Sequence, residues 1–147
     1  MICKGETIWI FGRAGSGKST NAMNLVKAAR AKKESVIYLD GDVVRAGITN
    51  DCGFDKKGIE KNITRIVQIC KVINDQGIDV VASFITPFEK LREYIAGSLD
   101  YPTLIYMNTS VETCYERRKD LYDTGKVMEF EEPSDESKYR YFIMKGE

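Results

Sequence analysis

The sequence has no histidine among its 147 residues. That excludes imidazole acid–base catalysis and any histidine-bound metal. Cysteine is sparse: Cys3, Cys52, Cys70 and Cys114 form neither a C-x-x-C pair nor a zinc-ligand spacing. Reduced, partly buried thiols in a cytoplasmic protein are the expectation. Charge of neither sign is in excess, since Lys+Arg and Asp+Glu are both 22. Neither a nucleic-acid partner nor a polybasic membrane anchor is therefore expected. No apolar run approaches the roughly 18 residues of a membrane span, and the first residues lack a signal-peptide apolar region. Repeats, linkers and composition breaks are also missing, so a single domain over 1–147 is expected.

What is present begins with a phosphate-binding loop. Gly12-Arg13-Ala14-Gly15-Ser16-Gly17-Lys18-Ser19-Thr20 has the form G-x-x-x-x-G-K-[ST]. Thr7-Ile8-Trp9-Ile10-Phe11 before it reads as a buried parallel strand. The Ala-, Leu- and Lys-rich stretch 18–32 after it reads as a helix. Glycines let the backbone wrap a phosphate, and the loop N–H groups with the helix N-terminus form a positive nest. Lys18 is placed to reach the β- and γ-phosphates of ATP, and the Ser19 hydroxyl to ligate Mg²⁺.

Strand and helix then alternate, which predicts an α/β fold of three layers, a mostly parallel sheet flanked by helices, as in P-loop NTPases. Strands are expected at 35–39, 79–85 and 103–107. Helices are expected at 59–75, with Gly77 as its stop, and at 88–96, closed by Gly97. Residues 48–58 read as loop, punctuated by Gly53 and Gly58. Ser110 is a candidate cap for a short helix over Val111–Arg117. The charged stretch 117–137, with Gly125 and Pro133, reads as a mobile segment whose part at about 117–133 is a candidate lid. The tail 139–144 reads as an edge strand.

A second constellation follows the second strand: Asp40-Gly41-Asp42-Val43-Val44-Arg45. Two carboxylates near a phosphate loop can touch Mg²⁺ through water or take a proton from an attacking hydroxyl. Arg45 adds a planar fork suited to a phosphate or sulfate.

These residues carry a resemblance. The chain from about 6 to 130 resembles the adenylylsulfate kinase family, which phosphorylates the ribose 3′-hydroxyl of adenosine 5′-phosphosulfate with Mg·ATP. Gly12–Thr20 is similar to the family's phosphate loop, and Asp40–Arg45 to its D-G-D-x-x-R. Gly53-Phe54 followed by Glu60-Lys61-Asn62-Ile63-Thr64-Arg65-Ile66 resembles its G-F and E-x-N-I-x-R-I. Ile85-Thr86-Pro87-Phe88 resembles its I-S-P-[YF]. Cys114 to Tyr122 echoes the start of its lid.

The resemblance implies roles. Asp42 organises magnesium and the incoming 3′-hydroxyl, with Ser19 as the other metal contact. Lys18 and Lys119 carry transition-state charge. Asp40, Arg45, Phe54, Asn62, Ile85, Thr86 and Phe130 form the acceptor site, Phe54 and Phe130 stacking on its base. Arg117 packs near the ATP adenine. A homodimer is also implied.

The chain departs from the family pattern at several positions. Ile59 stands where the family has an acceptor-contacting arginine. Arg118 replaces an aspartate and Asp120 a glycine, one residue is lost before Lys119, and Glu131-Glu132-Pro133 replaces T-G-I. All of these fall on the acceptor side. Three alternatives thus stay open: the same chemistry on another nucleotide conjugate, such as the cytidine diphosphoramidate of capsule biosynthesis; a nucleotide-binding regulatory module without turnover; and a nucleoside or nucleoside-monophosphate kinase.

Overall fold

The computed structural model describes residues 3–146. Five parallel strands form its sheet: β1 (Thr7–Phe11), β2 (Val36–Asp40), β3 (Asp79–Ser83), β4 (Thr103–Asn108) and β5 (Phe142–Lys145), in the spatial order β2-β3-β1-β4-β5. Alternation along the strands decides which layer each side chain joins. On one face Trp9, Phe11, Val80, Ala82, Leu104 and Tyr106 pack with Ile63, Ile66, Val67 and Cys70 of α3 (Lys56–Asp75) and Leu91 and Ile95 of α4 (Glu89–Ser98). On the other face Ile10, Val81, Ile105 and Met107 pack with Ala22 and Val26 of α1 (Lys18–Ala31). The result is three layers, α/β/α, as expected.

Several element boundaries differ from the sequence reading, each for a local reason. Asp40 does not sit in a simple turn. Its carboxylate accepts from the Val43 N–H and caps a helix, α2 (Gly41–Ala46). Likewise Asp55 accepts from the Gly58 N–H, so α3 begins at Lys56 rather than at 59. Gly58 is thus helical: a Cβ there would lie 2.2 Å from the Gly53 carbonyl oxygen, and this close backbone approach is what the glycine serves. Gly97 does not close α4, which runs on to Ser98. β3 stops at Ser83, and residues 84–88 continue as the irregular floor of the cavity described below.

The stretch expected to be mobile begins with a short helix, α6 (Lys119–Tyr122), directly after α5 (Val111–Arg117). Segment 123–137 has no regular structure, yet it is tied down. The Glu131 N–H donates to the Pro87 carbonyl, and Glu132 pairs with Arg13 at 2.8 Å. The tail strand lies at Phe142–Lys145, at the sheet edge beside β4.

Candidate active site

The carboxyl ends of β1, β2 and β3 open onto one cavity of about 790 Å³. Open parallel sheets place ligands at such strand ends. At one end the cavity is lined by Arg13, Gly15, Lys18 and Ser19. Asp40, Asp42 and Arg45 line it further along, followed by Phe54 and Asn62.

The phosphate loop turns sharply before α1. Gly15 has φ +82 and a Cβ there would meet the Cys114 carbonyl at 2.8 Å, while Gly17 caps α1 at φ +97. Both positions demand glycine. Gly12 and Ser16 do not line the cavity. The Gly12 N–H donates to the Ile85 carbonyl, and the Ser16 hydroxyl is fully buried without a partner. Their side of the loop shapes it from within, the Ser16 N–H donating to the Arg13 carbonyl. Thr20 lines the cavity at the start of α1.

Lys18 Nζ donates to the Arg13 carbonyl at 2.8 Å, bridging the loop from within. Its side chain is only half-buried by surface, but protein atoms crowd the ammonium, and this desolvation lowers its pKa to about 8 despite the charge of Asp42. A bound triphosphate favours the charged ammonium, so nucleotide binding takes up protons. Calorimetry of AMPPNP binding in buffers of different ionisation enthalpy should show about half a proton taken up near pH 8 and roughly a tenth near pH 7. Equal uptake at both would leave Lys18 out of the phosphate site. Without ligand the sign for folding follows from the same shift. The unfolded chain holds the proton up to about 10.5 and the folded chain only to about 8, so stability rises with pH between those values.

Ser19 Oγ donates to Asp40 Oδ1 at 2.9 Å, so Asp40 rather than Asp42 is the carboxylate joined to the hydroxyl expected to meet a metal. Asp42 lines the cavity from the first turn of α2, is exposed, and makes no hydrogen bond or ion pair. One hydroxyl and two carboxylates are hard oxygen donors, the set Mg²⁺ takes when phosphates complete its shell. Among the described residues no cluster of three acidic or thiol side chains offers an all-protein metal cage.

At the acceptor end, Arg45 Nη1 donates to the Cys52 and Gly53 carbonyls at 2.8 and 2.9 Å. Its guanidinium carbon lies 4.3 Å from the Phe54 ring centroid. No carboxylate pairs with it, and burial lowers its pKa. It is a fixed cation on the cavity wall. Phe54 is 69% exposed, a ring held by cation–π contact with a face left for a ligand. Asn62 is 3% exposed and its Oδ1 has no partner, which suits a hydrogen-bond donor on a bound molecule. Ile59, 4% exposed, presents hydrocarbon beside it.

Five expected site residues stand elsewhere or are already engaged. Thr86 lines the cavity, but its hydroxyl accepts from Trp9 Nε1 and donates to the Phe84 carbonyl, holding the loop at φ +49. Lys119 does not line the cavity. It pairs with Glu116 at 3.2 Å across the break between α5 and α6, both side chains on the outer surface. Phe130 lines the cavity, yet it stacks on Tyr106 at 6.0 Å, with Arg13 and Arg92 carbons 5.0 and 4.8 Å from its centroid. Ile85 lines the cavity with its carbonyl spent on Gly12. Arg117 joins the Gly15 and Gly146 carbonyls at 3.2 and 2.6 Å.

Sequence reasoning missed Tyr122, whose hydroxyl donates to the Ala14 carbonyl at 2.8 Å, and Arg118, which lines the cavity in the place Lys119 does not reach. The only signal for Tyr122 was its agreement with the lid pattern.

Residues 4–137 match the adenylylsulphate kinase family. The chain is 34% identical over 130 residues to an adenylyl-sulfate kinase of Gloeothece citriformis, covering 88% of this chain and 74% of that one. A probable adenylyl-sulfate kinase of Pseudomonas aeruginosa is 34% identical over 113 residues, covering 77% of this chain and 53% of its own length, so this chain spans about half of it. The APS kinase CysC of Mycobacterium tuberculosis, solved in complex with AMPPNP and APS, superposes with a TM-score of 0.84 at 27% identity, covering 97% of this chain and 88% of that one. With its phosphate loop opening onto the same cavity as Asp42 and Arg45, this chain belongs to the adenylylsulphate kinase family.

Proposed function

We propose that the protein transfers the γ-phosphoryl group of ATP to the ribose 3′-hydroxyl of adenosine 5′-phosphosulfate. The observation that carries this reading is the single cavity that joins the phosphate loop to Arg45, Phe54 and Asn62, with Asp42 on its wall. Ser19 and Asp40, with Asp42 nearby, would hold Mg²⁺, which would supply charge neutralisation for the triphosphate. Lys18 meets the transferring phosphoryl group as a charge, and Arg117 holds the loop beside the nucleotide. Asp42 receives the acceptor hydroxyl, Arg45 the anionic linkage, Phe54 the base and Asn62 a donor on the nucleoside. Segment 117–133 acts as the lid, Arg117, Tyr122 and Glu132 being its hydrogen-bond contacts with the phosphate loop. A cytoplasmic location and a homodimer belong to the same proposal, the first supported by four unpaired cysteines.

The test is ADP release with Mg·ATP over a panel of nucleotide conjugates. Turnover with adenosine 5′-phosphosulfate supports the proposal, and background rates across the panel would reduce the protein to a nucleotide-binding module. Phe54→Ala should raise the acceptor KM by about 10-fold or more, since a base stack is worth about 1–3 kcal/mol, and leave the ATP KM within about twofold. An unchanged acceptor KM would take the base off Phe54.

One observation favours a second acceptor. Buried Ile59 offers no charge to an anion, and Glu132 neutralises Arg13. A cytidine-linked conjugate such as cytidine diphosphoramidate still uses Phe54, Arg45 and Asp42, and it belongs in the panel for that reason.

A further inference from the structure

β2 and β3 pair so that Asp40 lies in register with Ser83. Tyr38 is two residues before Asp40 and therefore shares its face of the strand. The sheet, with the first turn of α1, thus brings three hydroxyls to one carboxylate oxygen. Asp40 Oδ1 lies 2.9 Å from Ser19 Oγ, 3.1 Å from the Tyr38 hydroxyl and 3.3 Å from Ser83 Oγ. The Tyr38 and Ser83 hydroxyls are themselves 2.9 Å apart. Asp40 Oδ2 is bound separately, by the Val43 N–H.

Each hydroxyl has one hydrogen to give. Ser19 gives its hydrogen to Asp40. In the Tyr38–Ser83 pair, whichever hydroxyl donates to the other leaves that other to donate to Asp40. Either order ends on Oδ1. With one oxygen held by two hydrogens and the other by a helix cap, the carboxylate plane cannot turn. The Ser19 hydrogen then stays on Asp40, and the Ser19 lone pairs stay free on the cavity side.

We propose that Tyr38 is a positioning residue: together with Ser83 it locks Asp40, and through Asp40 it keeps the Ser19 hydroxyl oriented for a divalent cation held with the nucleotide. The inference rests on the kinase reading above. Without the Tyr38 hydroxyl, Oδ1 loses the 3.1 Å contact and keeps Ser19 and the longer, weaker Ser83 contact at 3.3 Å, so the lock on the carboxylate loosens. Outer-shell partners of this kind are worth about 10- to 100-fold in metal affinity.

The test is Mn²⁺ binding to the protein·ADP complex, read by electron paramagnetic resonance, beside ADP binding in chelator. Tyr38→Phe should weaken Mn²⁺ by about 10-fold and leave metal-free ADP binding within about twofold. Ser83→Ala should move Mn²⁺ in the same direction and carries the test if Tyr38→Phe folds poorly. Equal Mn²⁺ affinity in wild type and variants would overturn the inference alone. An equal loss with and without metal would also overturn it, as a merely structural effect. Failure of the wild type to bind Mn²⁺ with ADP would overturn the kinase reading instead.

Discussion

Asp42→Ala is expected to slow phosphoryl transfer by about 100-fold or more, the scale of losing a positioned acid–base group. The structure separates the two carboxylates of the D-G-D turn by their commitments. Asp40 is bound at both oxygens, to Ser19 and to the Val43 N–H. Asp42 is bound at neither and lines the cavity. Only Asp42 keeps both carboxylate oxygens clear of hydrogen bonds for an incoming hydroxyl. The loss should fall on kcat, with the ATP KM changing by about threefold at most, because the phosphate loop, Lys18 and Ser19 still hold the nucleotide. Asp42→Asn should behave like the alanine variant if the proton is what matters. A second readout is independent of turnover. The Asp42 charge opposes the desolvation that lowers the Lys18 pKa. Removing it should move nucleotide-linked proton uptake to lower pH in the calorimetry described above. A rate loss below about threefold would remove Asp42 from the mechanism.

Arg92→Met should destabilise the fold by about 3–5 kcal/mol, the cost of breaking a buried charge network from one side. Arg92 is 0% exposed. Its Nε donates to the Thr86 carbonyl at 3.0 Å, and Nη1 donates to Glu89 at 2.5 Å and to the Tyr139 hydroxyl at 2.9 Å. Nη2 donates to the Glu131 carbonyl, and the guanidinium also lies over the Phe11 ring at 4.6 Å. Methionine restores bulk but none of the donors, leaving buried acceptors unpaired. The Tyr139 hydroxyl bridges Arg92 and Glu89, and burial first, then the bond to Glu89, raises its pKa to about 12, so it stays neutral. Urea unfolding should show a lower midpoint with an unchanged slope. Lys4→Ala is the control: its partners Asp75 and Asp100 are exposed, and its loss should leave the urea midpoint nearly unchanged. A change below about 1 kcal/mol for Arg92→Met would mean that the network is open to water in solution.

Arg92 also shows why the site was only partly legible beforehand. Its neighbours in the chain read as an ordinary helix start, and nothing nearby marks it as buried. Its partners Glu131 and Tyr139 lie 39 and 47 residues away. Phe130 illustrates the same limit. A pattern match marked it as a base-stacking ring, but whether both its faces stay free depends on Tyr106, Arg13 and Arg92. Lys119 was placed by its letter in the lid pattern. The break between α5 and α6 and a glutamate three residues back direct it outward instead.

The sequence by itself determined the strand–helix alternation, the phosphate loop with Lys18 and Ser19, the acceptor-side motif Asp40–Arg45 and the family. Those features depend on residues within a few positions of one another, where spacing fixes which face a side chain takes. Only the tertiary structure decided that Ser19 pairs with Asp40 and leaves Asp42 free, that Thr86 is spent on Trp9, and that Tyr38 and Ser83 close on one carboxylate. These depend on strand register and on which loops meet at the sheet's edge. That is settled by packing across the whole chain, as with Arg13 and Glu132, 119 residues apart.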